Sequence, residues 1–148
     1  MNYEINEETL AIIPIDEKKT RVLEVDNEYI VNQSTYEIMD NSCQYFGSTY
    51  EGRKIGSSNL LGNGYKIPIL IKEKNYLIFF PTESPLLKSC IWISLHNIEK
   101  YEKNIDTRYT NIYFKNGKKI KLDVSFRSIE HQIYRSTRLE SILRDRNI

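Results

Sequence analysis

The sequence predicts an α+β domain built mainly from antiparallel strands, as a sheet or a partly open small barrel, with one short early helix and a long C-terminal helix. Three observations predict it. Most of the chain consists of short β-branched and aromatic runs separated by turn-forming residues. Asn116-Gly117 separates two such runs, which is a strong hairpin signal. Residues 125–146 carry apolar side chains at helical spacing. The 148 residues suffice for a single domain with its own core.

The first third of the chain predicts a hairpin, a further strand and a helix. Residues 9–15 and 20–25 are apolar, β-branched runs on either side of a turn-prone segment, and residues 29–31 extend the sheet. Residues 34–46 predict a short helix, because Ser34 followed three residues later by Glu37 forms a capping box. Gly47 is placed to end this helix.

Residues 47–64 are expected to form a loop, since they hold five of the six glycines. Such a concentration gives backbone freedom, or close approach to a ligand, or both. Short strands are expected next, and residues 97–101 are equally compatible with a helical turn. In order, these segments are residues 67–71, 76–80, 90–95, 97–101, 108–114 and 118–124. Ser125 is placed to cap the final helix, over residues 125–146.

The composition is that of a globular protein, with 40% hydrophobic and 28% charged residues. No apolar run approaches the roughly 18 residues that a membrane helix needs, and the N-terminal residues do not resemble a secretory signal. Cys43 and Cys90 lie far apart, without the spacing of a metal-binding pair. We therefore expect two reduced thiols in a cytoplasmic protein with no membrane partner.

The sequence contains none of the common catalytic motifs. His96 and His131 lie in no metalloprotease or serine-hydrolase motif, and neither a Walker loop nor G-x-G-x-x-G occurs. Two histidines and two separated cysteines make a poor zinc site. We therefore expect a protein that is not an enzyme, with no catalytic residues, no cofactor and no metal.

Charge is distributed unevenly along the chain, although the net charge is only +1. Residues 1–40 hold ten acids and three bases, which gives −7. The remainder holds 18 bases and ten acids, which gives +8. This asymmetry favours a face that meets a polyanion.

Three groups of basic residues carry the positive charge. In the first, Gly52 and Gly56 flank Arg53 and Lys54, and the glycines would let the backbone approach a narrow A/T minor groove that attracts cations. The second is the hairpin at residues 108–121, whose bases would follow phosphates: Arg108, Lys115, Lys118, Lys119 and Lys121. The third is the final helix, with Arg127, Arg135, Arg138, Arg144 and Arg146.

Each basic group also has a purely structural interpretation. A Gly-Arg-Lys segment is often only a turn, lysines around a hairpin turn protect a sheet edge from aggregation, and arginines commonly form the solvated face of a helix. Two further functions stay open. The eleven tyrosines are compatible with base stacking in a single-stranded nucleic-acid module. The basic face is also compatible with an acidic protein partner.

Residues 40–56, DNSCQYFGSTYEGRKIG, resemble the signature of the competence transcription factor family, ComK. Later segments agree with that family in order and spacing, so the resemblance covers about residues 8–146. They are residues 78–82 (IFFPT), 90–94 (CIWIS), 114–118 (FKNGK), 125–126 (SF) and 132–135 (QIYR).

The resemblance implies a bacterial activator of DNA-uptake genes that contacts the minor groove of A/T-rich promoter boxes as a homo-oligomer. It also implies contact with an adaptor that delivers the protein to a protease. The acidic N-terminal segment is expected to face away from DNA, toward another protomer or RNA polymerase. Arg53 and Lys54 become the candidates for groove entry, with Gly52 permitting close approach and Tyr50 stacking on a sugar or supporting the segment. Lys115, Lys118, Lys119, Arg135 and Arg138 become the other candidate DNA-binding residues.

Family members continue past the position that corresponds to Arg146, whereas this sequence stops at Ile148. We therefore expect residues 1–148 to form a single DNA-binding domain without that tail. Oligomerisation, activation and adaptor binding are the properties that a missing tail would affect.

Overall fold

The computed structural model describes residues 2–146, which form two antiparallel sheets and three α-helices. The larger sheet has the strand order β3-β2-β1-β6-β5-β4, and the smaller has the order β7-β8-β9. In chain order the elements are β1 (Thr9–Asp16), β2 (Lys19–Glu24), β3 (Glu28–Val31), α1 (Thr35–Tyr45), α2 (Tyr50–Leu61), β4 (Ile69–Lys72), β5 (Leu77–Pro81), β6 (Trp92–Ser94), β7 (Ile98–Lys103), β8 (Thr110–Phe114), β9 (Lys119–Leu122) and α3 (Phe126–Asp145). The predicted α+β class with a long C-terminal helix is confirmed.

The predicted N-terminal hairpin and first helix are both present. Strands β1 and β2 pair antiparallel, and β2 pairs with β3. At the start of α1 the Ser34 hydroxyl accepts a hydrogen bond from the Glu37 amide, and the Glu37 carboxylate accepts one from the Ser34 amide. Gly47 follows α1 with φ of +86°, which a glycine adopts without strain. These elements form where the local signals place them.

The prediction of a loop over residues 47–64 is wrong for residues 50–61, which form α2. The Thr49 hydroxyl caps this helix by accepting a hydrogen bond from the Gly52 amide. Tyr50, at its start, is buried against Trp92 with the ring centroids 6.0 Å apart. Leu60 and Leu61, at its end, pack with Leu139 and Leu143 of α3 in a second cluster. Burial at both ends outweighs the low helix propensity of the two internal glycines.

Both faces of the larger sheet are covered. On one face, α1 packs its Ile38, Met39 and Cys43 against strand residues such as Phe79. On the other face lie the smaller sheet, through Ile112 and Phe114, and α3, through Ile129. The C-terminal half of α3 continues along that face toward the end of α2.

The predicted Asn116-Gly117 hairpin is present, and its tip is docked on the larger sheet. Gly117 has φ of +91°, as such turns require. The Asn116 side-chain amide donates to the Val25 carbonyl, and the Lys118 ammonium donates to the Glu24 carbonyl over 2.7 Å. At residues 97–101 both expected conformations occur, because a 3-10 turn at Leu95–Asn97 leads directly into β7.

Among the helices of residues 2–146, none combines the length and the apolar character needed to cross a membrane.

Candidate nucleic-acid interface

The basic pair of the signature segment lies on α2 rather than in a loop. Arg53 is largely covered, with 15% of its side chain exposed, and its Nη1 lies 3.5 Å from the carboxylate of Glu73. Its Nε is buried without a hydrogen-bond partner in the described part of the chain. Lys54 is half-buried, and within residues 2–146 it makes no ion pair. The two neighbours therefore differ: Arg53 is held in place by the fold, and Lys54 is the freer cation.

Tyr50 and Gly52 support α2 from its first turn. The Tyr50 amide donates to the Asp40 carboxylate, which joins α2 to α1. The Tyr50 ring is 6% exposed, so in this conformation it supports the helix and has little surface to offer a sugar. A Cβ on Gly52 would lie 3.1 Å from the Thr49 hydroxyl that caps the helix. The close approach at Gly52 is thus to the helix cap.

Helices α2 and α3 bring basic residues from distant parts of the sequence to one groove of about 380 Å³. Arg53 of α2 and Arg146, directly after α3, line it together with Glu73. Leu139 and Leu143 form its apolar floor with Leu70. The sequence contains no local signal for this proximity, because the contact depends on how α2 packs against α3.

The lysines of the β8–β9 hairpin divide into an anchored residue and exposed ones. Lys118 is engaged by the Glu24 carbonyl, so it joins the smaller sheet to the larger one. Lys115 and Lys119 are exposed, and Lys119 lies over the Tyr113 ring with its Nζ 5.8 Å from the centroid. Of the three predicted hairpin contacts, Lys115 and Lys119 are free to meet a phosphate.

Helix α3 presents a basic and aromatic stripe to solvent. Its members, at spacings of four, three and four residues, are Arg127, His131, Tyr134 and Arg138. All four are exposed, and Tyr134 is 63% exposed. In residues 2–146 none of them makes an ion pair, and the stripe itself contains no acidic residue. We call these four residues the α3 stripe.

Sequence reasoning named Arg127 in the basic group of the final helix and Arg138 as a candidate DNA contact, but it missed His131 and Tyr134. Their spacing is a signal that could have found them, because residues three and four apart lie on one helix face. Arg135, the other predicted helix contact, lies beside the stripe and is partly covered. Its guanidinium approaches the segment after α2, where a Cβ on Gly64 would lie 3.3 Å from Nη1.

The two thiols are unsuited to reaction or metal binding. Burial raises the pKa of Cys43 to about 12, and the nearby Arg53 cation only partly offsets that rise. Burial likewise raises the pKa of Cys90 to about 12. Because the thiolate is the reactive form, both side chains act as small apolar residues near neutral pH.

Comparison with known proteins gives a consistent result. A family profile described as "ComK protein" matches residues 1–147. A protein of Bacillus subtilis (strain 168) named "Competence transcription factor" is 36% identical over 148 residues, covering 98% of this chain and 77% of that protein. No solved structure matches the chain significantly. The whole-length profile match and this identity show that the chain belongs to the ComK family.

Proposed function

We propose that this protein is a DNA-binding activator of competence genes that acts in the cytoplasm and recognises A/T-rich promoter boxes through the minor groove. The general assignment to transcription factors of the competence type rests on the relative named "Competence transcription factor". The observation that supports DNA as the partner is the α3 stripe, in which the exposed cations Arg127 and Arg138 lie about 16 Å apart along the helix. Cations in that arrangement suit the regularly spaced phosphates of a duplex.

The exposure and partners of the candidate residues suggest that some contact DNA directly and that others act by supporting the fold. Arg138, with Arg135 beside it, is proposed to contact phosphates, as are Lys115 and Lys119 on the hairpin. Lys54 is proposed to enter the minor groove, where a narrow A/T tract has an enhanced negative potential. Arg53 would join it if its guanidinium released the Glu73 carboxylate and bound DNA instead. The Glu73 side chain is 58% exposed, so water can solvate it after that release.

The other candidates are proposed to act indirectly. Tyr50 and Gly52 keep α2 in position through the core contact and the helix cap. Lys118 fixes the hairpin on the larger sheet. Paired A/T boxes would require a symmetric oligomer of this chain, and activation would require contacts with RNA polymerase. Delivery to a protease by an adaptor belongs to the same proposal.

Fluorescence anisotropy with three labelled duplexes tests this function. The first carries two spaced A/T boxes. In the second, inosine–cytosine pairs replace the A·T pairs, which keeps much of the minor-groove pattern while changing the major groove. The third carries G·C pairs in their place. Minor-groove recognition requires tight binding to the first two duplexes and weak binding to the third, and equal binding to all three contradicts it.

Salt dependence and a matched variant locate the contacts. With about six phosphates neutralised, the log–log slope of affinity against salt should be roughly −5. Arg138→Ala should reduce that slope by about 0.9, because it removes one contact. Lys88→Ala is the matched control, since its side chain is 85% exposed and paired with Glu17 at the far end of the β1–β2 hairpin. If Arg138→Ala and Lys88→Ala gave the same salt slope, Arg138 of α3 would not contact the duplex.

A further inference from the structure

The outer face of the smaller sheet carries two tyrosines, one on a strand and one directly before it. Tyr113 lies on β8, and Tyr109, just before β8, has the same parity and therefore points to the same side. The alternating residues Thr110, Ile112 and Phe114 are fully buried beneath them. One side of this sheet is thus core, whereas on the other side the two tyrosine rings are half-buried.

Cations from three strands or their ends surround these rings. Lys100 of β7 and Lys119 of β9 both pair in register with Tyr113, and their Nζ atoms lie 4.8 Å and 5.8 Å from its centroid. Around Tyr109, the Arg108 Cζ lies 4.4 Å and the Lys121 Nζ 4.2 Å from the centroid. We call these six residues the tyrosine face.

Acidic residues balance only part of this charge. Glu102 pairs with Lys100 over 3.0 Å, and Asp123 pairs with Arg108 over 3.2 Å. Within residues 2–146, Lys119 and Lys121 have no carboxylate partner within ion-pair distance. The tyrosine face therefore combines aromatic rings with a surplus of positive charge, which is complementary to a ligand that has both flat bases and phosphates.

We propose that the tyrosine face binds single-stranded nucleic acid, with unpaired bases stacking on Tyr109 and Tyr113 and phosphates bound by the surrounding cations. Every base has a π face, so such stacking tolerates sequence. In a duplex those base faces are already stacked inside the helix, and a three-stranded sheet is broader than the two-stranded ribbon that the major groove admits. The face therefore fits an unpaired strand better than a duplex.

The spacing of the rings agrees with this ligand. Residues four apart on a strand are separated by about 13 Å, so the two tyrosines suit two bases that are not adjacent in the strand. In the free protein the cations rest on the rings. Their side chains are well exposed, at 59% for Lys100 and 64% for Arg108, so they can turn to phosphates and leave the ring faces to bases.

This site shares Lys119 with the duplex surface proposed above but adds the two tyrosine rings, and the same anisotropy assay tests it with a labelled twelve-nucleotide oligothymidine. Tyr109→Leu and Tyr113→Leu keep apolar bulk but remove the stacking ring. Each should raise the Kd for the oligonucleotide about tenfold. Tyr45→Leu is the matched control, because Tyr45 is 67% exposed on α1, away from the smaller sheet. Its Kd should equal that of the unmodified protein.

Three outcomes would overturn the inference: no binding of the oligonucleotide by the unmodified protein, equal Kd values for the tyrosine variants and the control, or equally tight binding of polyglutamate. The last would reduce the face to general electrostatics or a protein contact. If the tyrosine variants fail to fold, Lys121→Met decides instead, since loss of a phosphate contact lowers the salt slope by about 0.7 on a single strand. Duplex discrimination measured on the same variants separates this proposal from the proposed function, because it should not change.

Discussion

The Arg53 guanidinium lies 3.5 Å from the Glu73 carboxylate, and this contact ties α2 to the turn after β4. Lys54, the next residue, makes no ion pair within residues 2–146. Adjacent residues of one basic motif therefore have different environments. A mutation at each should consequently affect a different property of the protein.

Arg53→Ala should lower the free energy of unfolding by about 1 kcal/mol, because it removes the packed stem of a side chain that is 15% exposed together with its ion pair. Lys54→Ala should leave stability nearly unchanged and weaken binding to A/T duplexes. Urea titrations followed by the fluorescence of buried Trp92, paired with anisotropy, measure both effects. Equal stability losses in the two variants would show that the contact between Arg53 and Glu73 does not contribute measurably to stability.

Gly56→Ala should stabilise the protein by about 0.5–1 kcal/mol. Gly56 lies inside α2, and a Cβ there would meet no atom within 4 Å, so alanine improves helix propensity without a clash. Gly52→Ala is the matched comparison, because its Cβ would lie 3.1 Å and 3.2 Å from the Thr49 and Ser48 hydroxyls. For Gly52→Ala, the gain in helix propensity should be offset by disturbance of the Thr49 cap. Thermal unfolding distinguishes the two, and a destabilised Gly56→Ala variant would argue against helix at this position.

Local signals were sufficient for the elements that local interactions determine. The capping box at Ser34 and Glu37 and the turn at Asn116-Gly117 are complete within a few residues, so the sequence alone locates α1 and the β8–β9 hairpin. Helix α2 differs, because its internal glycines oppose it and, apart from the Thr49 cap, its stabilising contacts come from Trp92 and α3. Such long-range packing leaves no pattern within residues 47–64.

The same distinction applies to the candidate site. Which residues are basic can be read from the sequence, and Lys115, Lys119 and Arg138 are indeed exposed. The sequence does not show which of these cations already have a partner within the fold. The partner of Lys118, for example, is a backbone carbonyl 94 residues away in the chain. The placement of Lys100 from β7 and Lys119 from β9 around Tyr113 likewise depends on strand register.

Lys118→Met should lower the free energy of unfolding by about 1.5 kcal/mol, because the Glu24 carbonyl loses a charged donor at 2.7 Å. Lys119→Met removes the same charge from an exposed neighbour and should change stability little. For duplex binding the order reverses, and Lys119→Met should have the larger effect. Urea midpoints and anisotropy on this pair check both orders. Loss of duplex affinity in Lys118→Met, in a sample that remains folded and equally stable, would show that Lys118 contacts DNA instead.

Stability should fall as the pH rises above about 8.5. Burial raises the pKa of both Cys43 and Cys90 to about 12, whereas a thiol in the unfolded chain ionises near 8.5. Between these values the unfolded state has lost protons that the folded state retains, so each pH unit favours unfolding. The loss should reach up to about 2 kcal/mol per thiol at pH 10.

Urea midpoints at pH 7.5 and pH 10 measure this loss. Cys43→Ala/Cys90→Ala is the informative variant, because it lacks both thiols and should show a smaller decrease between the two pH values even if it is less stable at each. Burial also raises the pKa of Tyr50, so part of the decrease should persist in the variant near and above pH 10. An identical decrease in the variant and the unmodified protein would mean that the two thiols are not protected by the core.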